Sequence, residues 1–214
     1  MALCIEHDSE NIFVLDLVVR IFLDQGLHDK AKDYLDELER FDLYKKFIYH
    51  RKARYYSAKC MWELALTEAD AACNTGLSPF EAYAQRVDIL IQLQQFDDAK
   101  EALNKMNSKF RNYQRDIQNG LLCKLLIRMN KWHEAKTVWN QIEEKATTVH
   151  KALLKKILEL KGSDLNVPLG ERESALKQAV ELEEVTNNLP DYFSSIINIY
   201  EDDKDDKHSL GHST

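Results

Sequence analysis

The sequence predicts an all-α chain of stacked antiparallel helix hairpins, and three observations carry that prediction. Turn-forming residues are scarce, with 6 Gly and 3 Pro in 214 residues, whereas a sheet protein needs turn residues about every 8–12 positions. Apolar residues recur at helical spacing along most of the chain. Five alanines, Ala31, Ala65, Ala99, Ala135 and Ala175, follow one another at intervals of 34, 34, 36 and 40 residues.

Each alanine anchors a helical stripe. Four residues later stands Leu35, Ala69, Leu103, Trp139 or Ala179, and three residues after that Leu38, Ala72, Met106, Ile142 or Leu182. Steps of four and three keep all three positions on one helix face. An aromatic precedes the alanine by three residues at Trp62, Phe96 and Trp132, with His28 in the first unit. Upstream lies a second helical stripe: Leu15, Val18, Val19 and Phe22; Tyr49, Ala53 and Tyr56; Tyr83, Val87 and Leu90; Leu122, Cys123 and Leu126. Each unit therefore reads as helix, tight turn, helix, with the alanine allowing close approach. Trp139 takes a packing position. Of the adjacent pair Tyr55 and Tyr56, one is expected in the core and the other on the partner-facing side.

This pattern resembles the tetratricopeptide repeat, a helical hairpin of about 34 residues. The likeness spans roughly residues 11–185 and rests on the alanine, the aromatic before it, the two apolar positions after it and the turn glycine Gly26. Lys52 and Arg86 depart from it, standing where leucine is usual. The resemblance implies a right-handed superhelical solenoid of about five repeats. Residues 1–10 are read as an N-terminal extension, 11–187 as the repeat domain, 188–200 as a capping helix and 201–214 as a polar, disordered tail. A cap is expected because an uncovered array end exposes an apolar face.

Local signals agree. Ser78-Pro79-Phe80-Glu81 reads as a capping box, and Asp42 and Asp191 as helix N-caps. Lys161-Gly162-Ser163 ends a helix, and the loop from Asn166 to Gly170 accounts for the longest interval.

Charge and chemistry narrow the function. A net charge of −7 disfavours general nucleic-acid binding through repulsion from phosphates. Cys4, Cys60, Cys73 and Cys123 lack ligand spacing and read as free thiols of a reducing compartment. No secretory signal or membrane-length apolar run occurs, so the expected location is the cytoplasm. The chain carries no phosphate-binding glycine loop and no zinc-protease His-Glu motif. His208 and His212 fall in the tail, and Asp202–Asp206 lacks the glycine and closing glutamate of a calcium loop. Glu143-Glu144 and Glu183-Glu184 are neighbours that diverge by about 100° on a helix. No catalytic residue, metal ligand or cofactor is assigned.

The expected activity is that of a non-catalytic scaffold or adaptor holding another protein. In the family this chain resembles, partner peptides lie against the first helices. The corresponding positions, about fifteen, eleven, eight and seven residues before each alanine, include Asp16, Arg20 and Asp24; His50, Arg54 and Ser57; Asp88 and Ile91; and Lys124, Ile127 and Arg128. Arg20, Arg54 and Lys124 suggest a basic strip accepting an acidic or C-terminal peptide. The alternative is that these charges pair with neighbours, such as Arg20 with Asp16 or Asp24. Asp16 and Arg20 stand where the family's heat-shock-chaperone clamp carries Lys and Asn, so that specificity is not carried over. Other readings are the sensor or regulatory array of a signalling or defence ATPase, an RNA-binding helical repeat, and a homodimer through an uncovered array end.

Overall fold

The computed structural model describes residues 12–41, 45–75, 80–111, 113–142 and 148–186. The expected N-terminal extension, capping helix and tail lie outside them, as do Cys4, the N-caps Asp42, Ser78 and Asp191, and the Glu143-Glu144 pair. Among the described residues the chain is all-helical. In chain order the helices are α1 (Ile12–Asp24), α2 (His28–Leu38), α3 (Lys45–Ala58), α4 (Trp62–Asn74), α5 (Phe80–Gln92), α6 (Phe96–Lys109), α7 (Arg115–Arg128), α8 (Trp132–Trp139), α9 (Thr148–Ser163) and α10 (Leu169–Thr186). The chain divides into two compact units, Met1–Gln95 and Phe96–Thr214. The boundary falls between α5 and α6, the two helices that the alanine spacing joins as one hairpin.

In the first unit α1 packs on α2 and α3 on α4, while α3 also meets α1, α2 and α5. In the second unit α7 packs on α8 and α9 on α10, while α9 also meets α7 and α8. Pairs of neighbouring helices stacked in this order are the arrangement of a helical repeat. The recurring alanines sit where the helices cross: Ala31, Ala65, Ala99 and Ala135 are fully buried, and Ala175 nearly so. Leu15, Val19, Leu23, Ala31, Leu35, Leu38, Ile48 and Tyr55 form one continuous core. Each large apolar side chain removed from water there contributes about 1.5–3 kcal/mol. A second cluster joins Ala53, Ala65, Ala69 and Ile89. Three of its four members are alanines, so the backbones approach closely there.

Tyr55 and Tyr56 depart from the expected division of labour. Tyr55 belongs to the first core cluster, and Tyr56 packs against both clusters. Their rings meet edge-on with centroids 5.3 Å apart. Two adjacent helix residues both reach core because α3 is packed on more than one side. Trp139 is buried as expected, and its Nε1–H donates to the His150 carbonyl at 3.2 Å.

Four of the turns share one backbone design. Five residues before the alanine, Gly26, Cys60, Gln94 and Asn130 all adopt the left-handed conformation, with φ of 69°, 56°, 61° and 60°. The next residue donates its N–H back over five residues: Leu27 to Phe22 (2.8 Å), Met61 to Tyr56 (2.9 Å), Gln95 to Leu90 (3.0 Å) and Lys131 to Leu126 (2.8 Å). The left-handed residue itself donates to the carbonyl three residues earlier in each case. This is the paired hydrogen bonding that closes a helix on a left-handed residue. Leu27, Met61 and Lys131 serve at once as the third residue past one helix and the N-cap of the next, and their side chains make no capping hydrogen bond.

The turn from α9 to α10 is built differently. The Asp164 carboxylate accepts the Asn166 backbone N–H at 2.9 Å, and Pro168 precedes α10. Gly162 lies where a Cβ would come within 2.5 Å of Leu176 Cγ, so its missing side chain lets α10 cross closely over the end of α9.

Candidate functional site

The partner-facing candidates occupy first helices of the hairpins, and the two units present them separately. In the first unit Asp16, Arg20 and Asp24 lie on α1, His50, Arg54 and Ser57 on α3, and Asp88 and Ile91 on α5. The structure joins several of them through ion pairs across neighbouring helices. Arg51 donates to Asp16 through Nε (2.8 Å) and Nη2 (3.0 Å). Arg54 Nη2 donates to Asp24 at 2.6 Å. The acids of α1 are thus neutralised from α3, and Arg54 is held by Asp24 with its side chain only 9% exposed. Neighbour pairing, the alternative to an open basic strip, therefore accounts for Arg54.

Burial divides the remaining candidates. Arg20 and Ser57 are half-buried, while His50 and Asp88 are buried. Ile91 is fully buried. Its expected place on the partner-facing side is corrected: it presents no surface, because α5 is buried on nearly every face. A helix apolar on most sides is a core element. In the second unit Lys124, Ile127 and Arg128 follow one face of α7 at steps of three and one. Lys124 is buried, Ile127 half-buried and Arg128 exposed. Arg128 sits in the last turn of α7, where a cation favours the negative end of the helix dipole.

Arg51 was not among the expected site residues, although it pairs with Asp16 on this face. Its signal was a spacing of 35 residues from Asp16, one alanine interval plus one. Also unanticipated is a cleft of about 480 Å³ in the second unit, lined by α8, α9 and α10. Leu154, Ile157, Leu158 and Ala175 give it an apolar lining, with Trp132, Lys136 and Lys161 also contributing. The cations there are engaged: Lys161 pairs with Glu171 at 3.0 Å, and Lys136 Nζ lies 4.3 Å from the Trp139 ring centroid. Beside them Trp132 Nε1–H donates to Asp164 at 2.9 Å, and that bond, with those from Asn166, holds the Asp164 carboxyl below the usual carboxylate range.

Two further polar groups are tuned by burial. The Cys123 thiol is pushed up to about 12 by desolvation and lies 3.6 Å from the Ala135 carbonyl it donates to. The His150 imidazole is lowered by desolvation, with the Asp116 carboxylate opposing. Among the described residues no three His, Cys, Asp or Glu side chains are grouped so that they could hold a metal ion. No helix among them is long and apolar enough to cross a membrane. The chain matches no protein-family model, no curated protein and no solved structure.

Proposed function

We propose that the chain is a non-catalytic protein-interaction module of the tetratricopeptide type, a right-handed superhelical array that holds a partner peptide or protein surface against its first helices. One observation carries this reading: buried alanines recur in the second helices, and four of them stand five residues after a left-handed turn residue. A backbone built by repetition stacks identical edges into an extended face, and such faces serve binding. The polar and charged residues of α1 and α3 supply that face with hydrogen-bonding capacity. We assign Arg20, a half-buried cation of α1, to an acidic partner group. Cys60 and Cys123 are free thiols, which fits the cytoplasmic location this reading carries.

Selection from a random peptide phage library tests the reading. Enriched peptides are expected to be acidic, and synthetic copies are expected to lose at least about tenfold in affinity on Arg20→Glu, the scale of one charge-assisted hydrogen bond. Circular dichroism checks that the variant stays folded. Absence of enrichment, or peptides that bind Arg20→Glu and Ser57→Arg chains as tightly as the wild type, would sink it.

A further inference from the structure

One helix stripe forms the floor of the cleft in the second unit. Leu154, Ile157, Leu158 and Lys161 of α9 line it at steps of three, one and three, the spacing that keeps side chains on one helix face. From Leu154 to Lys161 the stripe runs roughly 10 Å. Trp132 of α8 walls the Lys161 end. Its indole is fixed twice, by the Nε1–H bond to Asp164 at 2.9 Å and by stacking on the His133 ring at 3.5 Å between centroids. Lys161 and Glu171 pair at 3.0 Å at that same end and bring no net charge to it. The other end differs. Lys136, half-buried, lines the cleft one turn along α8 from Trp132, toward the start of α9 where Trp139 bonds to His150. Its Nζ lies 4.3 Å from the Trp139 ring centroid. A ring face orients an ammonium but has no net charge with which to cancel it. Among the described residues no carboxylate pairs with Lys136. Two other hairpins carry a lysine at the same place, one residue after the alanine, and each is neutralised on its own helix: Lys32 by Asp36, and Lys100 by Asp97 at 3.4 Å. The equivalent neighbours of Lys136 are Asn140 and His133.

From this arrangement we infer that the cleft binds a small monocarboxylate with an unbranched apolar tail, its carboxylate on Lys136 and its tail along the α9 stripe toward Trp132. The volume, about 480 Å³, lies within the range of small-ligand sites, about 300–1,000 Å³. A half-buried cation beside apolar walls favours an anion whose own body is apolar, because the charge is met and the walls are covered in one event. The length of the stripe selects the class of ligand. Roughly 10 Å is longer than any apolar amino-acid side chain, so a fatty tail fills the floor where the last residue of a peptide would not. The indole wall and the neutral Lys161–Glu171 pair close the far end, which suits a tail that stops there and not a chain that runs through. Ser174 and Gln178 of α10 also line the cleft and add donors beside the floor. The site lies in the second unit and Arg20 in the first, so either assignment can fail without the other.

Titration calorimetry of the full chain with decanoate, kept below its micelle-forming concentration, is the first test. Decanoate is expected to bind saturably at one site per chain. Its affinity should exceed that of decan-1-ol, which has the tail without the charge, by at least about fivefold. Lys136→Met keeps the apolar stem and removes the ammonium. It is expected to weaken decanoate by at least about fivefold and to leave decan-1-ol unchanged. Amide chemical shifts locate the ligand: those of residues 132–136, 154–161 and 174–178 are expected to move. Absence of saturable decanoate binding, equal affinity for decanoate and decan-1-ol, or shifts confined to other helices overturns the inference. A peptide ending in leucine that binds at Lys136 where decanoate does not also overturns it. Circular dichroism checks that Lys136→Met is folded; if it is not, the comparison of decanoate with decan-1-ol on the natural chain decides.

Discussion

Arg51 of α3 grips Asp16 of α1 through two hydrogen bonds, at 2.8 and 3.0 Å, with 9% and 17% of the two side chains exposed. A forked pair of this kind is directional and ties two successive first helices together. Burial this deep makes a lone partner costly. Replacing Arg51 with Met is expected to destabilise the chain by about 2 kcal/mol, between the values for exposed and fully buried pairs. Asp16→Asn in the Arg51→Met background should recover part of the loss, because the stranded carboxylate is gone. Urea unfolding of the four chains measures the coupling, and additive losses would show that the pair is not an energetic unit.

The left-handed turns make a second prediction. Cys60 and Gln94 are exposed and hold φ of 56° and 61°. A side chain there costs about 1 kcal/mol relative to glycine. Cys60→Gly and Gln94→Gly are each expected to raise the unfolding free energy by about that amount, read as a higher urea midpoint with an unchanged slope. Gly26 has φ of 69° and no neighbour within 4 Å of an added Cβ. Gly26→Ala should therefore lose about 1 kcal/mol through backbone strain alone.

Acid should weaken the second unit through His150. Desolvation lowers the imidazole pKa in the folded chain, while the unfolded chain titrates near the ordinary value of about 6.5. Between those two values the unfolded chain binds more protons, so stability rises with pH and falls on acidification. Unfolding midpoints measured from pH 7.5 down to 5.5 should decline more steeply for the natural chain than for His150→Gln. Parallel slopes would remove His150 from the account.

Thiol reactivity separates the cysteines. Cys60 is exposed, whereas Cys123 is fully buried with its thiol pushed up to about 12. The thiolate is the reactive form. An aromatic disulfide reagent at pH 8 is expected to label Cys60 within minutes and leave Cys123 unmodified until denaturant is added. Peptide mapping after quenching distinguishes them, and native labelling of Cys123 at the rate of Cys60 would contradict the burial argument.

The alanine positions and their apolar companions were legible from residue order alone. A helix fixes which residues share a face, and a close helix crossing admits only small side chains, so Ala31, Ala65, Ala99 and Ala135 announced their own burial. Trp139 followed from the same periodicity. Of the left-handed turns only Gly26 was readable, because Cys60, Gln94 and Asn130 carry no glycine and are held by the hydrogen bonds that close each helix. Pairings between helices were not readable either. Asp16 meets Arg51, and Asp24 meets Arg54, through the offset of two neighbouring first helices, a distance that exists only after packing. Ile91 looked like a surface residue by its place in the hairpin, yet α5 is enclosed on nearly every side and takes it into the core. Local periodicity decides which face of a helix is apolar. How many faces its neighbours cover, and which charges meet across them, is decided by tertiary packing.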